Sequence, residues 1–247
     1  REQTVLFADL SNFTSVAERL SPEELFRVLN AYLEEASAAV TDLRGIVDKF
    51  VGDGVVAFWG PPLESDHATG ACLAALRLVN RAGNSTTTAN LPTLRVRVGI
   101  ASGPVLVGNV GSRSKYNYTV MGDAANLASR LEGANKFYGT QILVSAATAN
   151  AAKAITRKID VVRVIGRNEP VELFEVLGEP GDAEAVARCE KYGCAMRLYE
   201  SRDWQSAAAA FAAIGDPPSL VLSARCALFT RSDPGPGWDG VWNFETK

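Results

Sequence analysis

The chain has 247 residues, with 25 basic against 28 acidic side chains and a formal charge of -3. That balance excludes the basic surface of a nucleic-acid-binding protein, whereas a nucleotide-sized anion needs only local positive charge and backbone N–H groups. With 47% hydrophobic residues the chain can bury one large core, or one domain plus a small second one.

The elements follow in order. Residues 5–8, in T-V-L-F-A-D-L, read as a buried strand ending at Asp9. The segment L-S-N-F-T-S-V-A-E-R-L reads as a turn into a helix. Ser21-Pro22-Glu23-Glu24 starts the next helix, with Ser at the N-cap, Pro at the first turn and Glu three residues after the cap. Leu25, Leu29, Tyr32, Leu33, Ala36, Val40 and Leu43 recur at helical spacing as a core stripe, and Gly45 is expected to close the helix. Residues 46–51 and 55–59 are two β-branched and aromatic runs around Gly52-Asp53-Gly54, which reads as a hairpin with Asp53 at its tip. Gly60-Pro61-Pro62 breaks the chain, and a helix is expected over 67–81.

Residues 83–90 are polar and of low complexity, a surface loop. Residues 94–101 alternate as a half-buried strand, and Ser102-Gly103-Pro104 is expected to turn it into a second run over 105–110, a hairpin ending in a basic arm. Further strands are expected over 118–121, 141–144, 159–165 and 171–177, with helices opening at Gly122-Asp123 and spanning 146–154. Such alternation predicts an α+β fold, a mostly antiparallel sheet with helices on one face. Composition shifts at Gly178-Glu179-Pro180-Gly181, giving a domain over 1–178 and a helical extension over 179–247. In that extension Tyr199, Trp204, Ala208 and Phe211 loosely match a tetratricopeptide unit, and the turn-rich end reads as extended.

Cys72, Cys189, Cys194 and Cys226 match neither a zinc nor a C-x-x-C spacing and read as reduced, partly buried thiols. The single histidine, His67, stands against a His-ligated metal and against Ser-His-Asp chemistry. No run of about 18 apolar residues is present, so no membrane span is expected. The chain begins at Arg1 rather than Met, and reads as a piece of a longer protein.

Asp9 and Asp53, each near a strand end, form a pair suited to hard cations, which take a few carboxylates and substrate phosphate oxygens. The turn after Asp9 offers backbone N–H groups to a polyphosphate. Four stretches then carry a resemblance: F-A-D-L-S-N-F-T, K-F-V-G-D-G-V-V-A-F-W-G, R-V-G-I-A-S-G-P-V-L-V-G-N-V-G and Y-T-V-M-G-D-A-A-N-L-A-S-R-L-E. In this order and spacing the chain resembles class III nucleotide cyclase catalytic domains, over about residues 1–178. The resemblance implies a ferredoxin-like βαββαβ core with additional strands, and a head-to-tail homodimer with sites at its interface. It implies conversion of ATP or GTP to the 3′,5′-cyclic monophosphate and pyrophosphate with two Mg²⁺ ions, for which Mn²⁺ can substitute.

By position, Asp9, Asp53 and the Leu10 carbonyl resemble the metal ligands, and Phe13 and Thr14 the backbone donors to the triphosphate. Lys49 and Thr119 resemble the purine selectors, and Asn126 and Arg130 the transition-state pair. The metal aspartates then come from one chain and Lys49, Thr119, Asn126 and Arg130 from the other. Lys49 can donate to adenine N1, and the Thr119 hydroxyl can accept from the 6-amino group, which favours ATP. The family's late-strand triphosphate lysine is replaced by Ile165, with Arg167 as a substitute two residues on, and Pro104 stands where some members are basic.

The sequence-based expectation is an adenylate cyclase with ATP as substrate and no nucleic-acid partner. It is cytoplasmic, with a sensor upstream of this chain anchored at the inner face of the plasma membrane. The alternatives are a guanylate cyclase and a nucleotide-binding regulatory domain without turnover; a diguanylate cyclase would carry G-G-D-E-F, which is absent.

Overall fold

The protein is described from a computed structural model, which covers residues 1–11, 13–61, 66–84, 94–112, 115–163 and 169–244. Strand β1 (Glu2–Ser11) leads through the short α1 (Phe13–Ala17) into α2 (Pro22–Thr41). The hairpin β2 (Ile46–Val51) and β3 (Gly54–Trp59) follows, then α3 (His67–Asn84) and β4 (Arg95–Pro104). Next come β5 (Leu106–Ser112), β6 (Lys115–Met121), α4 (Asp123–Tyr138), β7 (Ile142–Ser145), α5 (Ala146–Ala151), β8 (Ile155–Arg163) and β9 (Val171–Gly178). The chain ends in α6 (Ala183–Glu200), α7 (Trp204–Ile214), α8 (Pro217–Arg231) and β10 (Trp242–Asn243).

The first six major elements give β1-α2-β2-β3-α3-β4 with sheet order β4-β1-β3-β2, all antiparallel. This is the ferredoxin-like core expected from the sequence. Strand β7 extends it parallel to β4, β9 and β8 follow antiparallel, and β10 closes the far edge parallel to β8. Helix α2 starts as its sequence dictates. The Ser21 side chain accepts from the Glu24 N–H while the Glu24 carboxylate accepts from the Ser21 N–H, a reciprocal cap worth about 1 kcal/mol.

Helices cover both faces of the sheet, not the one face expected. On β1 the pleat sends Val5 to one side and Leu6 and Ala8 to the other. Leu6, Ala8 and Ile100 pack under α2 and α3, with Trp59, Ala71, Ala75 and Leu78. Val5, Ala101 and Leu143 pack under α4 and the C-terminal helices, with Leu131, Tyr138, Phe211 and Leu222. Each fully buried Leu or Ile contributes about 1.5–3 kcal/mol.

Three further expectations are corrected. Gly45 closes α2 in a different way from the one expected: the helix stops at Thr41, Arg44 rather than the glycine takes the positive φ of 59°, and the Gly45 N–H caps the Val40 carbonyl at 2.9 Å. A Cβ on Gly45 would stand 2.4 Å from Cε2 of Trp59, so the glycine also admits the indole. Ser102-Gly103-Pro104 is not a turn, because β4 runs straight through it, opposite Glu2, Gln3 and Thr4 of β1. Strand β5 pairs instead with β6, in a separate two-stranded ribbon. The C-terminal stretch is not simply extended, since Trp238 lies edge-on to Tyr199, Trp204 and Phe229 and β10 joins the sheet.

The C-terminal helices are tied to the sheet by buried charge. Arg157 of β8 pairs with Glu175 of β9 at 2.7 Å and with Asp216, the N-cap of α8, at 2.7 Å. Arg225 of α8 meets Asp160 at 2.7 Å, and Asp160 accepts a hydrogen bond from the Tyr138 hydroxyl at the end of α4. All four cysteines are free thiols, with Cys72 and Cys226 buried.

Helix α4 sits directly on β4. A Cβ at Gly99 would stand 2.1 Å from the Ala128 carbonyl oxygen and 2.2 Å from the Glu132 nitrogen. Both obstacles are backbone, so the helix itself would have to move. Gly99→Ala is expected to cost about 2–3 kcal/mol in denaturant unfolding, with activity falling further than stability because α4 is displaced.

Candidate active site

Asp9 and Asp53 meet at one end of the sheet. Ala8 lies opposite Val55 in the β1–β3 ladder, so Asp9 emerges beside the β2–β3 turn, where Gly52 takes a φ of 62° and Asp53 forms the tip. The Asp9 carboxyl is pushed up to about 6, first by burial and then by the Asp53 and Glu132 charges, with a hydrogen bond to Asp53 adding to the shift. Two carboxyls in contact resist double ionisation. Arg97 opposes them: Nη2 donates to Asp9 Oδ2 at 3.4 Å and Nε to Glu132 Oε1 at 2.9 Å. Burial also raises the Glu132 pKa, against the Arg97 charge.

Leu10 has its side chain in the core, and Phe13 and Thr14 open α1, where the first N–H groups lack partners inside the helix. Asn126 and Arg130 share one face of α4, four residues apart, with Asn126 exposed and Arg130 half-buried. Lys49 and Thr119 are brought into contact, Nζ donating to Oγ1 at 2.9 Å. Arg167 and Ile165 lie outside the described residues.

Sequence reading missed Arg97, Glu132 and Tyr32. Arg97 read as an outward residue of an alternating strand, and its partner Glu132 is 35 positions away. Tyr32 read only as core. Its hydroxyl is buried without a hydrogen-bond partner among the described residues, and its pKa is raised by burial and then by Asp9, Asp53 and Glu132. Nothing local in the sequence places that phenol beside the carboxylates.

These residues fit a hard divalent cation. Asp9, Asp53 and Glu132 outnumber the one arginine among them, and a buried hydroxyl beside them is unsatisfied. Among the described residues no three His, Cys, Asp or Glu side chains group as a metal site, and Glu132 is taken by Arg97. Two carboxylates match Mg²⁺ when nucleotide oxygens complete its shell.

The chain thus carries a carboxylate pair at a strand end of the sheet and Asn126 and Arg130 on one face of α4. Residues 1–174 match the family model for the adenylate and guanylate cyclase catalytic domain. The chain belongs to that family. It is 39% identical over 184 residues to adenylate cyclase 1 of Rhizobium meliloti (strain 1021), covering 72% of this chain and 28% of that protein. The chain thus spans less than a third of that relative's length. The fold matches the crystal structure of the adenylyl cyclase CyaB from P. aeruginosa, with TM-score 0.63 and 32% identity, over 73% of this chain and 96% of that one. It matches that of the guanylyl cyclase Cya2 with TM-score 0.65 and 32% identity, over 74% of this chain and 95% of the other.

The raised Asp9 pKa has a sign. Folding keeps this carboxyl protonated up to about pH 6, whereas the unfolded chain ionises it near 3.8, so its contribution to stability falls as pH rises through that window. Without added metal at pH 7.5, Asp9→Asn is expected to raise the thermal midpoint by about 3 °C, with the gain lost near pH 4. Added Mg²⁺ should raise the midpoint of the unmodified chain and leave that of the variant in place.

Proposed function

We propose that this chain is the catalytic domain of an adenylate cyclase, converting ATP to 3′,5′-cyclic AMP and pyrophosphate at sites shared between two copies. The observation that carries the base choice is the Lys49–Thr119 hydrogen bond, which sets an ammonium donor beside a hydroxyl. Lys49 donates to adenine N1, and Thr119 accepts from the 6-amino group. Guanine carries a hydrogen at N1 and would set donor against donor.

Asp9, Asp53 and the Leu10 carbonyl would hold two Mg²⁺ ions, or Mn²⁺ in their place. These ions, when bound, supply Lewis acidity toward the ribose 3′-OH and the polyphosphate. Phe13 and Thr14 present backbone N–H groups to the triphosphate, and Arg167 is assigned to the same chain of phosphates. Asn126 orients the ribose, which lowers the entropic part of the barrier. Arg130 offsets charge building on the α-phosphate, where a preorganised donor counts most.

Exposed apolar residues support the shared site. Val51 at the hairpin and Leu106, Tyr116, Tyr118 and Met121 of the ribbon are all at least half exposed, on the elements that carry Lys49 and Thr119. A second copy laid on them would bury that surface and bring its Asp9 and Asp53 to this chain's Lys49, Thr119, Asn126 and Arg130. The reading assigns 1–178 to catalysis and 179–247 to a helical extension with a tetratricopeptide-like unit. It places the domain in the cytoplasm, below an upstream anchored sensor. Among the described residues no helix is long and apolar enough to cross a membrane.

The purified chain is expected to make cyclic AMP from ATP with Mg²⁺ or Mn²⁺, with little product from GTP, and with specific activity rising with protein concentration. A preference for GTP would overturn the base assignment. Asp53→Ala and Arg130→Ala should each lose roughly a hundredfold or more in kcat. Mixing inactive Asp53→Ala with inactive Asn126→Ala chains should restore partial activity through one complete hybrid site. Hybrid dimers that stay silent would sink the shared-site reading.

A further inference from the structure

We infer that Asp48 is a positioning residue for base selection: its carboxylate accepts the one Thr119 hydroxyl proton, leaving Oγ1 only lone pairs to offer the purine. The inference deepens the adenylate reading above and rests on it. Thr119 Oγ1 donates to Asp48 Oδ2 at 2.8 Å and accepts from Lys49 Nζ at 2.9 Å, while Lys49 Nζ lies 3.4 Å from the same Asp48 oxygen. A hydroxyl has one proton and two lone pairs, and a carboxylate paired with lysine only accepts. With its O–H donated to Asp48 and one lone pair accepting from Lys49, Thr119 has a single lone pair left. The group that meets it must be a donor, as the adenine 6-amino group is. A 6-oxo purine would bring lone pair against lone pair.

Rotating the hydroxyl to greet a 6-oxo group does not escape this. The Asp48 side chain is 2% exposed, so water cannot replace the lost donor, and a buried acceptor left short of a partner is costly. Lys49, at 44% exposed, keeps protons free for the base. The backbone makes the triad possible. Val47 pairs with Ala57 and Lys49 with Val56, so Asp48 is the extra residue of a β-bulge. In a regular strand Asp48 and Lys49 would face opposite sides of the sheet. The bulge re-aims them so that both reach Thr119 on β6.

The test compares ATP with purine riboside triphosphate, which keeps the N1 acceptor and lacks only the 6-amino group. The unmodified full chain should favour ATP in kcat/KM by about tenfold or more. Thr119→Val should bring the ratio near unity, and Asp48→Leu should lower it several-fold toward that value, because a hydroxyl released from Asp48 is no longer held with its lone pair toward the 6-amino group. The double variant should lose no more than Thr119→Val alone, because Asp48 acts through Thr119. Equal losses for both nucleotides in Asp48→Leu, with the ratio kept, would overturn the assignment and mark Asp48 as merely structural. If the Leu variant does not fold, Asp48→Asn keeps the volume; its weaker acceptor must lower the ratio, and an unchanged ratio is equally fatal. An unmodified chain that turns over GTP in preference to ATP refutes the adenylate reading itself. ATP preference with an unmoved ratio refutes only Asp48.

Discussion

The seam between α4 and β4 is the constraint on which the rest depends. Helix α4 approaches so closely that only a glycine at 99 fits beneath the Ala128 carbonyl. The seam is also pinned by polar contacts. Asn135 Nδ2 donates to the Val98 carbonyl at 2.9 Å, and Arg97 pairs with Glu132 at 2.9 Å. Because Arg97 also reaches Asp9, the helix that carries Asn126 and Arg130 is coupled through β4 to the carboxylate pair. Position of the helix and charge of the carboxylate pair are therefore not independent.

The far end of α4 is held by the C-terminal helices. Tyr138, its last residue, joins Asp160 and Arg225, and Gly139 just beyond lies against Pro217 of α8. A Cβ at Gly139 would stand 2.6 Å from the Pro217 ring, and its φ of 66° already demands glycine. Buried ion pairs of this kind add little net stability, because desolvation offsets their attraction. Their effect is to forbid alternatives, since breaking one leaves a charge stranded. The helical extension shares one apolar core with α4 and the sheet, so it is part of the body that positions the site.

Much of this was legible in the chain itself. The Ser21 capping box, the β2–β3 hairpin and the helices after His67 and Gly122 rest on local rules: cap spacing, turn glycines and helical periodicity. Where local signals had two readings, tertiary packing chose. Ser102-Gly103-Pro104 carries turn residues, yet β1 lies alongside and pairs with it, so the strand continues. Gly45 caps the end of α2 through its N–H, yet the left-handed turn falls on Arg44 and the glycine is required by the Trp59 indole packed against it. The Tyr32 phenol sits in a core stripe by periodicity, while its hydroxyl is near the carboxylates by packing.

The sequence by itself determined the first strand, the β2–β3 hairpin with Asp53 at its tip and the helix face shared by Asn126 and Arg130, while the resemblance to class III cyclases implied the ferredoxin-like core and the pairing of Lys49 with Thr119. The former follow from turn residues and from periodicities of 2 and 3.6, which are properties of neighbours along the chain. Only the tertiary structure decided that Asp48 stands behind Thr119, that Arg97 bridges Asp9 to Glu132, and that helices cover both faces. Each of these joins residues far apart in sequence, and the first turns on a one-residue slip in strand register. No local rule fixes such a slip, because its energy lies in contacts made only when β2, β3 and β6 are already assembled.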